Sequence, residues 1–114
     1  MDLVVQLEER DGWAVARLSG DLDLTTSPRL REQIVQAITN GRSQIVLDLE
    51  AVDFVDSTGL GVLVGLLKRA RTQGGDLRLV STRTSFRKIL ELTALERALP
   101  LAASVDDAIA GSAG

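Results

Sequence analysis

The 114-residue sequence predicts a single α/β domain with a mixed central sheet of four to five strands and about four helices. Three patterns indicate this class. Two short apolar segments joined by an Asp-Gly pair open the chain, strand-like and helix-like segments then alternate, and one strand-like segment is aliphatic almost throughout. The length suits one domain, 1–114, with its own core, and the tail 111–114 is expected to be frayed and disordered.

The first part of the chain is predicted to form a hairpin followed by a helix. Segments 3–7 and 13–19 read as short strands, and Gly20 is expected to end the second of them. The first helix is predicted to begin within 25–28, where a hydroxyl cap precedes a proline at the first helical position. An Asn-Gly pair at 40–41 is expected to end it.

The middle of the chain predicts the centre of the sheet. Residues 45–49, Ile-Val-Leu-Asp-Leu, are nearly all aliphatic, which suits a strand that is buried on both faces. A helix is predicted over about 58–71, because four aliphatic residues recur at helical spacing from Leu60 to Leu67. A strand is predicted at 77–80 and another at 99–102. Between them a helix is predicted that Thr84 or Ser85 caps and that carries Phe86, Ile89, Leu90 and Leu92. A capping box at 104–107 is predicted to begin a short final helix.

The composition argues against several kinds of function. The net charge of −3, with cations scattered among acids, provides no basic stripe for nucleic acid. The chain has no cysteine and no histidine, so disulfides, the commonest zinc ligands and the Ser-His-Asp triad are excluded. No segment reads as a signal peptide or reaches membrane-spanning length. We therefore expect a cytoplasmic protein that binds neither nucleic acid nor membrane.

The most informative stretch runs from Asp53 to Gly61, where an apolar strand passes into an apolar helix. Gly59, Gly61 and Gly65 form the pattern GxGxxxG, which differs from the GxGxxG pattern of dinucleotide-binding loops. A nucleotide-binding protein is therefore a minor alternative, and no cofactor is expected. We interpret Gly61 and Gly65 instead as positions at which the helix lies close to the sheet.

Four aspartates cluster around the predicted strand ends, namely Asp21, Asp23, Asp53 and Asp56. Carboxylate oxygens suit Mg²⁺ or Ca²⁺, so a metal site is conceivable from composition alone. Aspartates at strand ends are more often turn formers and helix caps. No metal site is predicted.

Ser57 and Thr58 place two hydroxyls where this helix is predicted to begin. A hydroxyl residue in that position is most often a helix cap, and this interpretation stays open for both residues. Ser57 is not expected to be a catalytic nucleophile, since no histidine is available and Lys68 lies about 16 Å along the helix at 1.5 Å per residue. A phosphate acceptor needs no base of its own, because a kinase supplies one, and a helix N-terminus tolerates the added charge.

Three blocks of the sequence resemble the STAS-domain anti-sigma factor antagonists. They are Gly20-Asp-Leu-Asp23, the block from Leu49 to Gly61 with its Asp-Ser-Thr-Gly-Leu-Gly core, and the block from Gly74 to Val80. The resemblance covers essentially the whole chain and implies a single STAS domain with a small mixed sheet. It also implies that Ser57 is the phosphorylated serine, with Thr58 as a rival acceptor, and that the protein is not an enzyme.

The function that the resemblance implies is partner switching. The unphosphorylated protein would bind an anti-sigma factor that is also a serine kinase, and would thereby free a sigma factor. Phosphorylation would weaken that complex until a serine phosphatase removed the phosphate. A constitutive STAS adaptor that is never phosphorylated is the main alternative. The residues implied to bind the partner are Asp21, Asp23, Asp56, Ser57, Thr58, Gly59 and Leu60.

Overall fold

Five strands and four helices make up residues 2–111, which are the residues that the computed structural model describes. The predicted class, a mixed sheet with about four helices, is confirmed. The predicted fraying of the tail falls mainly on residues 112–114, which lie outside the described residues. The elements are β1 (Leu3–Arg10), β2 (Trp13–Leu22), α1 (Ser27–Thr39), β3 (Gln44–Val55), α2 (Ser57–Thr72), β4 (Asp76–Val80), α3 (Thr84–Leu92), β5 (Leu101–Ala102) and α4 (Val105–Ala110).

The strands lie in the sheet in chain order, β1-β2-β3-β4-β5. The predicted hairpin is confirmed: β1 is antiparallel to β2, and the turn residues Asp11 and Gly12 both have positive φ, as a tight hairpin turn requires. The other neighbours are parallel. Each of the first three helices connects one parallel strand to the next, and the strands follow one another in the same direction across the sheet. Right-handed crossovers therefore place α1, α2 and α3 on one face of the sheet. The last helix, α4, packs on the other face.

The central strand β3 is buried on both faces, as predicted. Ile45 and Leu47 are fully buried in the large core beneath α1, α2 and α3. Val46, which points the other way, belongs to a smaller cluster with Trp13 and the α4 residue Val105. The strand extends well beyond the predicted segment, to Val55. This extension carries the chain to the edge of the sheet where the candidate site lies.

Gly20 does not end β2, contrary to expectation. The strand continues to Leu22, and its register against β3 shifts next to Gly20. Gly20 has φ +108°, and a Cβ there would lie 2.1 Å from the carbonyl oxygen of Asp2. The glycine therefore permits an irregularity within the strand, which redirects the last residues of β2 without breaking it.

Two predicted helix caps are wrong, while a third is confirmed. Thr26 precedes α1 but makes no capping bond, and the proline is the second helical residue rather than the first. Arg83 precedes α3, so Thr84 and Ser85 lie inside that helix and do not cap it. Ser104 caps α4 as predicted, since its hydroxyl accepts a hydrogen bond of 3.0 Å from the Asp107 N–H.

The end of the chain agrees only in part with the prediction. Leu92 lies in α3 as predicted, and its side chain is 78% exposed. Leu99 was assigned to the last strand, but β5 begins only at Leu101 and Leu99 is buried just before it. None of the helices in residues 2–111 is long and apolar enough to cross a membrane.

The glycines of α2 differ from the prediction that Gly61 and Gly65 are the positions at which the helix lies close to the sheet. Gly61 and Gly65 are exposed, and a Cβ at either position would have no atom within 4 Å. Gly59 is the buried one: a Cβ there would lie 2.7 Å from the Leu22 carbonyl oxygen and 2.9 Å from Leu22 Cγ. The close approach of α2 to the sheet therefore depends on Gly59, at the first turn of the helix.

These positions make a matched pair of substitutions. Gly59→Ala is expected to destabilise the fold by about 1–3 kcal/mol, because the new methyl overlaps the β2 backbone. Gly61→Ala should stabilise it by about 0.5–1 kcal/mol, since alanine is the better residue in an exposed helix. Urea unfolding followed by circular dichroism measures both. Equal shifts of the two midpoints would show that Gly59 is not the contact that limits packing.

Candidate functional site

The carboxyl ends of β2 and β3 meet at one edge of the sheet. Asp21 lies beside Phe54 and Leu22 beside Val55 in the parallel register, and the Asp56 N–H donates a 3.2 Å hydrogen bond to the Leu22 carbonyl. Parallel neighbours end at the same edge, so the loops that follow them also become neighbours. The β2–α1 loop therefore lies directly beside the start of α2.

Asp56 is the cap of α2 and also holds the neighbouring loop. Its Oδ1 accepts a hydrogen bond of 2.8 Å from the Gly59 N–H, which is the standard capping bond. Its Oδ2 accepts a 3.0 Å bond from the Leu24 N–H in the β2–α1 loop. One carboxylate thus joins two segments that are far apart in sequence.

The capping interpretation of Ser57 and Thr58 is therefore wrong. Ser57 is the first residue of α2 rather than the residue before it, and Thr58 is the second. Both side chains are exposed. Within residues 2–111, neither hydroxyl forms a hydrogen bond, and the backbone N–H groups of both residues are also unpaired. Two hydroxyls and two N–H groups consequently face solvent at the positive end of a 16-residue helix.

Asp23 organises the loop beside this helix start. Its Oδ1 accepts hydrogen bonds from the Thr25 hydroxyl at 2.7 Å, the Thr25 N–H at 2.9 Å and the Thr26 N–H at 3.1 Å. The bond from the Thr25 hydroxyl has the largest effect, and together these bonds hold the pKa of Asp23 below its usual value. The carboxylate therefore stays ionised at neutral pH and contributes a fixed negative charge.

Asp21 supports the same loop through its backbone. Its carbonyl accepts a 2.7 Å hydrogen bond from the Thr26 hydroxyl. The same hydroxyl oxygen accepts a 2.9 Å bond from the Asp23 N–H, so it is used within the loop and not as a cap of α1. The Asp21 side chain is half-buried beside Asp23. The structure thus brings Asp21, Asp23, Asp56, Ser57 and Thr58 to one edge of the sheet.

Gly59 and Leu60 differ from the other predicted partner-binding residues, because both are buried. Gly59 packs against Leu22, and Leu60 belongs to the main core. Both residues therefore help to fix the position of the first turn of α2 against the core.

Asp53, which the sequence groups with the other aspartates, points elsewhere. Its carboxylate forms an ion pair with Arg83 at 3.1 Å. Within residues 2–111 there is no cluster of three or more acidic side chains with the geometry of a metal site. Asp23 and Asp56 instead accept backbone hydrogen bonds, as turn formers and caps do.

Two exposed apolar side chains beside the site were missed by the sequence reasoning. Leu24 is 67% exposed in the β2–α1 loop, and Phe54 is 54% exposed near the end of β3. Phe54 lines a groove of about 240 Å³ together with Phe86 and Ile89 of α3. No periodic signal identifies Phe54, because residues 52–55 are buried, exposed, exposed and buried in turn, which departs from the strict alternation of a regular strand.

The fold and the sequence both have close counterparts among known proteins. The model of the STAS domain family matches residues 4–108. An anti-sigma F factor antagonist of Paenibacillus polymyxa is 33% identical over 102 residues, which cover 89% of this chain and 87% of that protein. An anti-sigma factor antagonist from Mycobacterium paratuberculosis superposes with a TM-score of 0.87 at 28% identity, covering 98% of this chain and 95% of that one.

A structure in a modified state is similar as well. The phosphorylated form of the Bacillus cell fate determinant SpoIIAA superposes with a TM-score of 0.73 at 27% identity, covering 96% of this chain and 99% of that one. The sequence match over most of the chain and the shared topology agree with each other. The chain therefore belongs to the STAS domain family, and anti-sigma factor antagonists are among its relatives.

Proposed function

We propose that this protein is a cytoplasmic anti-sigma factor antagonist that is switched by phosphorylation of Ser57. In its unphosphorylated form it binds an anti-sigma factor that is also a serine kinase, and a sigma factor is released. The observation that carries the proposal is the freedom of the Ser57 hydroxyl. Asp56 performs the capping that a serine at a helix start usually performs, so the exposed Ser57 hydroxyl has no bonding partner among residues 2–111.

The relatives support the same function. The similar proteins from Paenibacillus polymyxa and Mycobacterium paratuberculosis are anti-sigma factor antagonists, and SpoIIAA has been solved in a phosphorylated form. The switch in this chain is proposed from that similarity together with the geometry of the α2 start. No catalytic role is assigned to the chain itself.

The phosphoryl transfer needs little from this protein. The Ser57 Oγ attacks the γ-phosphorus of ATP held by the kinase, the bond to ADP breaks, and the hydroxyl proton passes to a base of the kinase. The exposed N–H groups of Ser57 and Thr58 and the helix dipole then favour the phosphate. The modification is consequently compatible with an intact fold.

The effect of the phosphate on binding follows from its neighbours. It adds roughly −1.5 to −2 charge beside the Asp56 and Asp23 carboxylates. A partner that covers this edge also covers the exposed side chains of Leu24 and Phe54, so the added charge would have to be desolvated. Phosphorylation therefore weakens the complex, and a serine phosphatase acting on phospho-Ser57 restores it.

Ser57 is expected to be the acceptor when the protein is incubated with its cognate kinase and radiolabelled ATP. Ser57→Ala should lose nearly all incorporated phosphate, because its hydroxyl is the nucleophile. Thr58→Ala is the matched control: it removes the neighbouring hydroxyl and leaves that of Ser57, so it should still incorporate phosphate. If Ser57→Ala incorporated as much phosphate as wild type, the site assignment would be wrong.

A negative charge at residue 57 is expected to weaken binding of the kinase about tenfold or more, equivalent to about 1.4 kcal/mol. Biolayer interferometry would compare Ser57→Ala with Ser57→Asp. Thr84→Asp is the control, because Thr84 is the exposed first residue of α3 and receives the same charge at another helix start. Equal affinity of Ser57→Ala and Ser57→Asp would contradict the charge switch and favour a constitutive adaptor.

A further inference from the structure

The charges of the chain are distributed unevenly between its helices and the rest of the fold. The protein carries a net charge of −3, yet α2 contains three cations and no acidic residue. The neighbouring helix α1 contributes Arg29 and Arg31 against a single acid, Glu32. The carboxylates lie mainly on strands and loops, including the loop of Asp23. The side of the molecule formed by α1 and α2 is therefore basic within an acidic protein.

A groove of about 340 Å³ runs between these two helices. Arg31 of α1 lines one side, Arg69 of α2 lies toward the far end, and Thr58 lies at the end next to Ser57. Within residues 2–111, the side chains of Arg31 and Arg69 form no ion pair and no hydrogen bond, whereas the nearby Arg71 side chain pairs with Asp76. Two uncompensated guanidinium groups thus face one groove.

The floor of the groove is formed by Gly61 and Gly65. These glycines are four residues apart and so lie on the same face of α2. Each costs about 0.5–1 kcal/mol of helix stability relative to alanine, and neither has an atom near its missing Cβ that would require glycine. Nothing in the packing of residues 2–111 explains them. The absence of side chains instead opens the groove and allows another backbone to approach α2 closely.

We propose that this groove binds an acidic α-helix of the partner protein. Carboxylates of that helix would pair with Arg31 and Arg69, and its backbone would lie over Gly61 and Gly65. The proposal rests on the proposed function in taking the partner to be the protein that phosphorylates Ser57. Because Thr58 lies at the end of the groove, a helix bound there holds the partner next to the acceptor serine.

The charge requirement can be tested with a defined probe. A fluorescein-labelled alanine-based helical peptide with a glutamate at every fourth position is titrated with the whole protein at low salt, and anisotropy is measured. Wild type is expected to bind, and raising the salt should weaken binding. The double variant Arg31→Gln/Arg69→Gln should bind at least tenfold more weakly.

The matched control is Arg29→Gln/Arg87→Gln, which removes the same charge from exposed positions that do not line the groove. It should bind the acidic peptide within about twofold of wild type, while a peptide with lysine in place of glutamate should not bind. Equal weakening by the two double variants, or equal binding of the lysine peptide, would overturn the proposal.

The role of the glycines is tested by Gly65→Gln, which places a side chain in the groove. The variant should weaken binding of the peptide at least fivefold. Its urea midpoint should not fall below that of wild type, because a Cβ at this position meets no other atom within 4 Å. Binding that is unchanged in this variant would show that no helix lies over the glycines.

The two proposals fail in different ways. If Ser57 accepts no phosphate while the acidic peptide still binds through Arg31 and Arg69, the switch is wrong and the groove is a docking site for another partner. If a kinase phosphorylates Ser57 and binds Arg31→Gln/Arg69→Gln as tightly as wild type, the groove proposal is wrong and the switch is retained.

Discussion

The carboxylate of Asp56 is the interaction on which the site depends. It caps α2 through the Gly59 N–H and holds the β2–α1 loop through the Leu24 N–H. Gly59 makes this geometry possible, because any larger residue would push the helix start away from Leu22. The cap and the close contact together fix the first turn of α2 against the end of β2, so the loop and the helix start behave as one surface.

This arrangement places a capping carboxylate and two exposed hydroxyls on three consecutive residues. Asp56 satisfies a helix N–H, while the exposed Ser57 and Thr58 hydroxyls form no hydrogen bond with any group in the part of the chain that the structure describes. A phosphate on Ser57 would therefore leave the capping bond in place. Its effect would fall on whatever binds the surface, since the neighbouring Asp23 and Asp56 carboxylates are held in position by backbone donors.

The surface around Ser57 combines three chemical features. Fixed carboxylates lie on one side, exposed apolar side chains from Leu24 and Phe54 lie close by, and a basic groove between α1 and α2 begins at Thr58. Opposite charges on adjacent patches impose an orientation on a partner, and apolar contacts add affinity. The proposed switch and the proposed helix-docking groove would thus be parts of one extended interface.

The sequence by itself determined the order and type of the elements, since the Asp-Gly turn, the aliphatic run at 45–49 and the helical spacing from Leu60 to Leu67 are local patterns. It also identified the Ser57 motif through its resemblance to a family. Only the tertiary structure decided that Asp56 is the cap, that Gly59 packs against the sheet, and that Gly61 and Gly65 face solvent. The physical reason is that hydrogen-bond partners and burial depend on which segments meet in space, and the approach of β2 to α2 is not encoded in either segment alone.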